Sequence, residues 1–131
     1  MQQLHQGTYY GSHKQELDFN QFLVTDTIYT HEKVDWHYHE NAYFTFLLNG
    51  KLFEANKRDS YVLEAGSLLF HNWQDAHYNI KPPLYTRGFH IELTKHWFED
   101  LNTPSIPIEG SIQIKNPLLK QNFYKIYLKI A

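Results

Sequence analysis

Two histidines one residue apart, His37 and His39, sit in the block Trp36-His37-Tyr38-His39-Glu40-Asn41-Ala42-Tyr43. Asn49-Gly50, Gly66 and a third histidine, His77, follow at short intervals. Alternate side chains of an extended strand share a face, so His37 and His39 point the same way, with Asn41 and Tyr43 beside them if the strand stays regular. Glu40 falls on the opposite face. Two imidazoles entering one interior call for a closed or layered β structure with a polar cavity, and this narrows the choice of folds more than any other feature of the chain.

The flanking sequence reads as short strands cut by turn residues, a spacing that favours a barrel or sandwich. Val24, Thr25, Thr27, Ile28 and Tyr29 predict a first strand over Phe22 to Tyr29. A second runs from His37 to Leu48, and Asn49-Gly50 matches a two-residue hairpin returning through Leu52-Phe53-Glu54. Asn56 to Asp59 reads as a loop, Tyr61 to Leu63 as a strand, Ala65-Gly66 as a turn and Ser67 to His71 as a strand. His77 to Ile80 ends at Lys81-Pro82-Pro83, whose prolines lack backbone donors and belong in a loop or at an edge. Tyr85 to Leu93 alternates with Arg87, Phe89, Ile91 and Leu93 on one face and His90 and Glu92 on the other. A helical turn reaches Leu101, and a proline-containing linker covers Thr103 to Pro107. Asn116 and Pro117 then form an N-cap and first-turn pair for a terminal helix striped by Leu119, Phe123, Ile126 and Ile130. The helix is still periodic at Ala131, which suggests a continuing protein. The expected organisation is an arm over 1–21, a barrel over 22–101, and a linker and helix over 102–131.

At 131 residues the chain suits one domain. It has no cysteine, which excludes disulfides and thiolate metal sites, so any metal must take nitrogen and oxygen ligands. A formal net charge of −2 with scattered lysines gives no basic footprint for nucleic acid. No run of apolar residues is long enough to span a membrane, and the first residues lack the layout of a signal peptide, so a cytoplasmic location is expected.

His37, His39 and His77 could together hold Zn, Fe or Ni through neutral imidazole nitrogens. Trp36 and Trp73 flank the two histidine blocks and could line a pocket with Tyr43 and Asn79, since rings with one polar handle suit sugars and aromatic ligands. The competing account is structural. Interior histidines exchange hydrogen bonds with Tyr, Glu or backbone, because an unpartnered buried polar group costs roughly 1–3 kcal/mol. On this account His90 and Glu92 satisfy each other or solvent, and His5, His13, His31, His71 and His96 are ordinary surface or core residues.

The two blocks resemble the paired motifs of cupins. Within that group the wording Trp36-His37-Tyr38-His39-Glu40-Asn41-Ala42-Tyr43-Phe44, Leu48-Asn49-Gly50, Ala65-Gly66-Ser67-Leu68-Leu69-Phe70 and Arg87-Gly88-Phe89-His90-Ile91-Glu92-Leu93 is similar to the N-terminal domain of AraC-type bacterial transcription regulators. The resemblance implies a mostly β, cupin-type double-stranded β-barrel (jelly roll) followed by a C-terminal helix. It implies a non-enzymatic domain that binds a small-molecule effector, forms a homodimer, and meets DNA only through a helix-turn-helix domain outside these residues. Two departures stand out. Tyr43 occupies the place where metal-binding cupins carry a ligating glutamate, and Asn72 and Gln74 stand where the second motif has Pro and Gly. The alternative implied by the same motifs is a stand-alone metal-dependent cupin enzyme of dioxygenase or isomerase type.

Overall fold

The computed structural model describes residues 1–73, 75–101 and 110–130. The second-motif position Gln74 and the expected linker Thr103 to Pro107 lie outside the described residues. The strands are β1 (Gln2–Leu4), β2 (Gly11–Asp18), β3 (Phe22–Tyr29), β4 (Lys33–His39), β5 (Ala42–Asn49), β6 (Lys51–Ala55), β7 (Ser60–Glu64), β8 (Leu68–His71), β9 (His77–Ile80), β10 (Arg87–Leu93) and β11 (Ser111–Ile114). The helices are α1 (Lys95–Asp100) and α2 (Pro117–Ile130). No described helix is long and apolar enough to cross a membrane.

Two sheets face each other. The five-stranded sheet runs β1-β4-β9-β6-β7 and the six-stranded sheet β11-β8-β5-β10-β3-β2. Successive strands keep switching sheets, and this produces the jelly-roll closure. The expected single strand from His37 to Leu48 is therefore two strands. It breaks at Glu40-Asn41, where the chain passes from β4 in one sheet to β5 in the other. The expected Asn49-Gly50 hairpin is likewise a corner between sheets, because β5 and β6 do not pair. Gly50 takes φ +82°, and a Cβ there would stand 2.4 Å from both Tyr85 O and Thr86 Oγ1. Glycine is needed for close approach to the neighbouring chain as well as for the turn. The true hairpin is β6–β7, with Asn56 Oδ1 accepting from the amides of Arg58 and Asp59 in its loop.

Alternation along β5 separates two kinds of core. Leu47 turns inward with Leu52, Leu63 and Leu69, filling one end of the barrel. Phe44, Phe46 and Leu48 turn outward to join Val24, Leu68 and Phe89 under α2. The helix begins as the sequence suggests, with Asn116 Oδ1 accepting from the Leu118 and Leu119 amides. Its packed face differs from the expected stripe. Phe123, Tyr127 and Ile130 meet the sheet, while Leu119 and Ile126 are exposed. Phe123 lies against Phe44 with ring centroids 5.1 Å apart, and Tyr127 lies against Phe89 and beneath the Arg87 guanidinium, which is itself paired with Asp26.

Residues 1–21, read from the sequence as an arm, are docked on both sheets. β1 pairs in parallel with β4, β2 pairs with β3, and residues 5–10 cross between the sheets. The chain had hidden this, because β2 alternates exposed and half-buried residues and its ladder partner lies elsewhere.

Because Phe123 closes the outer core, Phe123→Ala should lower unfolding stability by about 3–5 kcal/mol. Leu118→Ala, on the exposed side of α2, should stay within about 0.5 kcal/mol. Urea denaturation of the two variants checks the difference.

Candidate metal centre

Strands from both sheets deliver the polar side chains to one interior. β4 carries Val34, His37 and His39 inward despite the odd spacing of the first two, because a register shift between Val34 and His37 absorbs the extra residue. β9 places His77 directly opposite His37 in the ladder. From the facing sheet, β5 supplies Tyr43 and β8 pairs His71 with it. β6 brings Glu54 and β10 brings His90. Tyr43 thus joins the histidines from the opposite wall and not along the same strand, and Asn41 stays at the corner, donating to Glu92 Oε2 at 2.8 Å.

The hydrogen bonds decide which nitrogen each ring offers. His37 Nδ1 lies 2.8 Å from Asp35 O and His77 Nδ1 lies 3.0 Å from Asp75 O. A carbonyl only accepts, so both Nδ1 atoms carry hydrogen and both neutral rings present an Nε2 lone pair. The Tyr43 hydroxyl donates to His77 Nε2 at 3.2 Å. His39 Nδ1 is buried with no hydrogen-bond partner, as is His71 Nδ1. On the far side His71 Nε2 donates to Glu54 Oε2 at 2.6 Å and Asn79 Nδ2 donates to Glu54 Oε1 at 3.0 Å, with His77 Nε2 4.0 Å from that same oxygen.

Two triads of ligand atoms result, His37-His39-His77 and Glu54-His71-His77, each with its atoms within 4.8 Å of one another. The first fits a divalent transition ion. It offers three imidazoles, one with an unpartnered buried nitrogen; Zn–N bonds of about 2.1 Å at tetrahedral angles set nitrogens about 3.4 Å apart, so atoms within 4.8 Å of one another would close inward by up to about 0.8 Å each. Nδ1–H bonds to backbone oxygen are the usual support of a ligating histidine.

Burial lowers the proton affinity of His37, and lowers that of His39 and His90 further, with neighbouring histidines adding to the effect. His77 comes down to about 4, mainly through burial. Burial pushes Glu54 upward, but His71 and His77 and the bonds from His71 and Asn79 outweigh it and hold the carboxyl at about 2. The interior thus contains a fixed carboxylate, burial favours the neutral forms of His37, His39, His77 and His90, and the cavity lining has no lysine or arginine.

The cavity measures about 40 Å³, room for roughly three waters. Tyr9 and Tyr10 from the N-terminal segment help to line it. The Tyr9 ring stacks on His90 at 3.7 Å, its hydroxyl donates to Glu92 at 2.9 Å, and the Gly7 amide donates to the same carboxylate at 3.1 Å. Tyr10 meets His37 edge-on at 5.2 Å.

Of the residues singled out from sequence, His37, His39, Tyr43, His77 and Asn79 come together around the cavity. Trp36 and Trp73 do not. Trp36 lies on the outer face of β4 against Tyr78, because the ladder turns it opposite to His37, and Trp73 is largely exposed in the turn after β8. His90 and Glu92 do not satisfy each other either. His90 bonds Thr25 and Tyr29, and Glu92 bonds Tyr9, Gly7 and Asn41. His71, read as ordinary, and Glu54, unread, are the residues that sequence reasoning missed. Their signal was weak: each sits at a strand position of inward parity, and parity shows only once the sheet is known.

No family model matches the sequence, and no curated protein matches it. Solved structures do. A cupin-2 domain protein from Shewanella frigidimarina aligns with TM-score 0.53 and 16% identity over 65% of this chain and 85% of its own. AerE from Microcystis aeruginosa aligns with TM-score 0.57 and 16% identity over 75% and 45%. A cupin superfamily protein from Desulfitobacterium hafniense aligns with TM-score 0.51 and 12% identity over 64% and 82%. At these identities the likeness shows the fold, a mostly β, cupin-type double-stranded barrel with a C-terminal helix.

Four buried histidines, His37, His39, His77 and His90, make stability depend on pH. Their folded-state values lie below the unfolded one of 6.5, so the unfolded chain takes up protons first as pH falls. Their stabilisation is complete above about pH 6.5 and is lost on the way down to about 4. Glu54, lowered from 4.5 to about 2, continues the loss through that lower window. For His77 alone, acidification from about pH 7 to 5 should cost about 2 kcal/mol. Urea midpoints measured at both pH values check this, and an unchanged midpoint would contradict it.

Proposed function

We propose that this barrel is the effector-sensing and dimerisation domain of an AraC-type transcription regulator, with DNA contact made by a helix-turn-helix domain outside these residues. The observation that carries the reading is the N-terminal segment across the cavity. Tyr9 and Tyr10 belong to the chain that leaves β1 and enters β2, yet they help to line the same small space as His37, His39 and His77. Any ligand admitted there touches the segment and the barrel together. Its affinity then differs between docked and released states of the segment, and that difference is what a ligand needs to shift their populations. The motif wording from Trp36 to Leu93 supports the same family.

The second reading, a metal-dependent cupin enzyme, is favoured by the two imidazoles with backbone-fixed tautomers. The cavity is equally small for an effector and for a substrate, so it is the placement of Tyr9 and Tyr10 from the N-terminal segment in its wall that favours sensing over turnover.

In the full-length protein with a reporter gene, His39→Ala combined with Tyr43→Phe should remove effector-dependent transcription. Tyr9→Ala should change the ratio of induced to basal output about fivefold or more. An unchanged response in both would overturn the proposal.

A further inference from the structure

Glu54 Oε1 and His77 Nε2 stand 4.0 Å apart in the cavity wall, and both are acceptors. His77 gives its Nδ1 hydrogen to Asp75 O, so its Nε2 carries a lone pair. Glu54 takes a donor from His71 on one oxygen and from Asn79 on the other. His37, opposite His77 in the ladder, turns a second accepting Nε2 to the same interior, fixed by Asp35 O. The Tyr43 hydroxyl reaches the His77 lone pair only at 3.2 Å, long for an O–H donor. No lysine or arginine lines the cavity, and Tyr9, Tyr10 and Tyr29 supply ring surface to its wall. Aromatic rings beside a carboxylate favour a cation, and facing lone pairs favour one that donates hydrogen bonds.

Bond lengths choose among cations. N–H donors of an ammonium nitrogen, at about 2.9 Å and tetrahedral angles, set their acceptors about 4.7 Å apart. The nitrogens offered by His37 and His77 lie within 4.8 Å of each other, and the Glu54 oxygen is nearer still to His77. These atoms suit an ammonium nitrogen where they stand, whereas a metal ion must first draw its ligands inward. The cavity of about 40 Å³, room for roughly three waters, holds an ammonium group with one or two carbons and excludes a sugar ring. Resting on the reading of the cavity as a sensing site, we propose that its ligand is a compact primary amine in its protonated form, donating to His37 Nε2, His77 Nε2 and Glu54 Oε1. On binding, Tyr43 releases the His77 lone pair. The alkyl group lies among the tyrosine rings, and because Tyr9 and Tyr10 belong to the N-terminal segment, it is the part of the ligand that this segment senses.

The test is calorimetric titration of the full chain, untagged and dialysed against a chelator, with four chloride salts. Methylammonium should bind at one per chain. Potassium, which has the charge without N–H donors, and tetramethylammonium, which lacks donors and is larger, should each bind at least about tenfold more weakly. Glu54→Gln should weaken methylammonium about tenfold or more, and Glu64→Gln, at an exposed carboxylate on β7, should leave it unchanged. The comparison of cations needs no variant to fold. Absence of saturable methylammonium binding overturns the proposal, and so does potassium binding of equal strength. Ammonium binding more tightly than methylammonium overturns the organic part and assigns the site to the ammonium ion itself. One Zn²⁺ per chain that saturating methylammonium does not displace overturns it in favour of a metal. In the full-length protein with a reporter gene, methylammonium that binds without changing transcription overturns the sensing reading and leaves the site standing. Transcription that answers an effector without N–H donors, in protein that binds no ammonium, overturns the amine and leaves sensing standing.

Discussion

A carboxylate buried with no lysine or arginine beside it in the cavity lining is the constraint around which this barrel is organised. Glu54 is 4% exposed, and removing an ionised carboxylate from water is tolerable only with good donors. The structure meets the demand from two strands, His71 on β8 and Asn79 on β9. Because these lie in different sheets, the charge ties the walls together across the interior. The same charge biases what can enter. Burial favours the neutral forms of His37, His39 and His77 nearby, and the first and last of these turn an accepting Nε2 to the cavity.

The barrel separates its chemistry by strand parity. Inward positions of β4, β5, β8, β9 and β10 hold His37, His39, Tyr43, His71, His77 and His90. Outward positions of β5, β8 and β10 hold Phe44, Phe46, Leu68 and Phe89 under α2. A one-residue slip would exchange these sets, placing the polar groups under the helix and the aromatic rings in the cavity, so the register is strongly specified. Displacing residues 5–10 would free Tyr9 from His90 and Glu92 while leaving the outer core intact. This makes the N-terminal segment the most independent part of the cavity wall.

The His-x-His pair and His77 were legible from alternation and spacing because both are local patterns, and the end of the chain was legible because Asn116-Pro117 is local capping chemistry. Glu54 and His71 were not, since their meaning comes from cross-barrel proximity that no period encodes. The Asn49-Gly50 pair was misread for a related reason. A turn dipeptide reports a reversal of direction and does not say whether the next strand pairs with the last or crosses to the other sheet. Trp36 and Trp73 were drawn toward the site by adjacency in sequence, but a neighbour in a strand faces the other way. Leu119 and Ile126 fit a helical stripe as well as Tyr127 does, and only the contacts with the sheet choose between them.

His37 and His77 are neutral and present Nε2 lone pairs to the cavity because backbone carbonyls hold their Nδ1 hydrogens. Long-range ¹H–¹⁵N correlation of the imidazole rings in the ion-free chain near pH 7 reads this directly. The account predicts protonated Nδ1 and unprotonated Nε2 for both residues. Protonated Nε2 with bare Nδ1, or imidazolium rings, would contradict it.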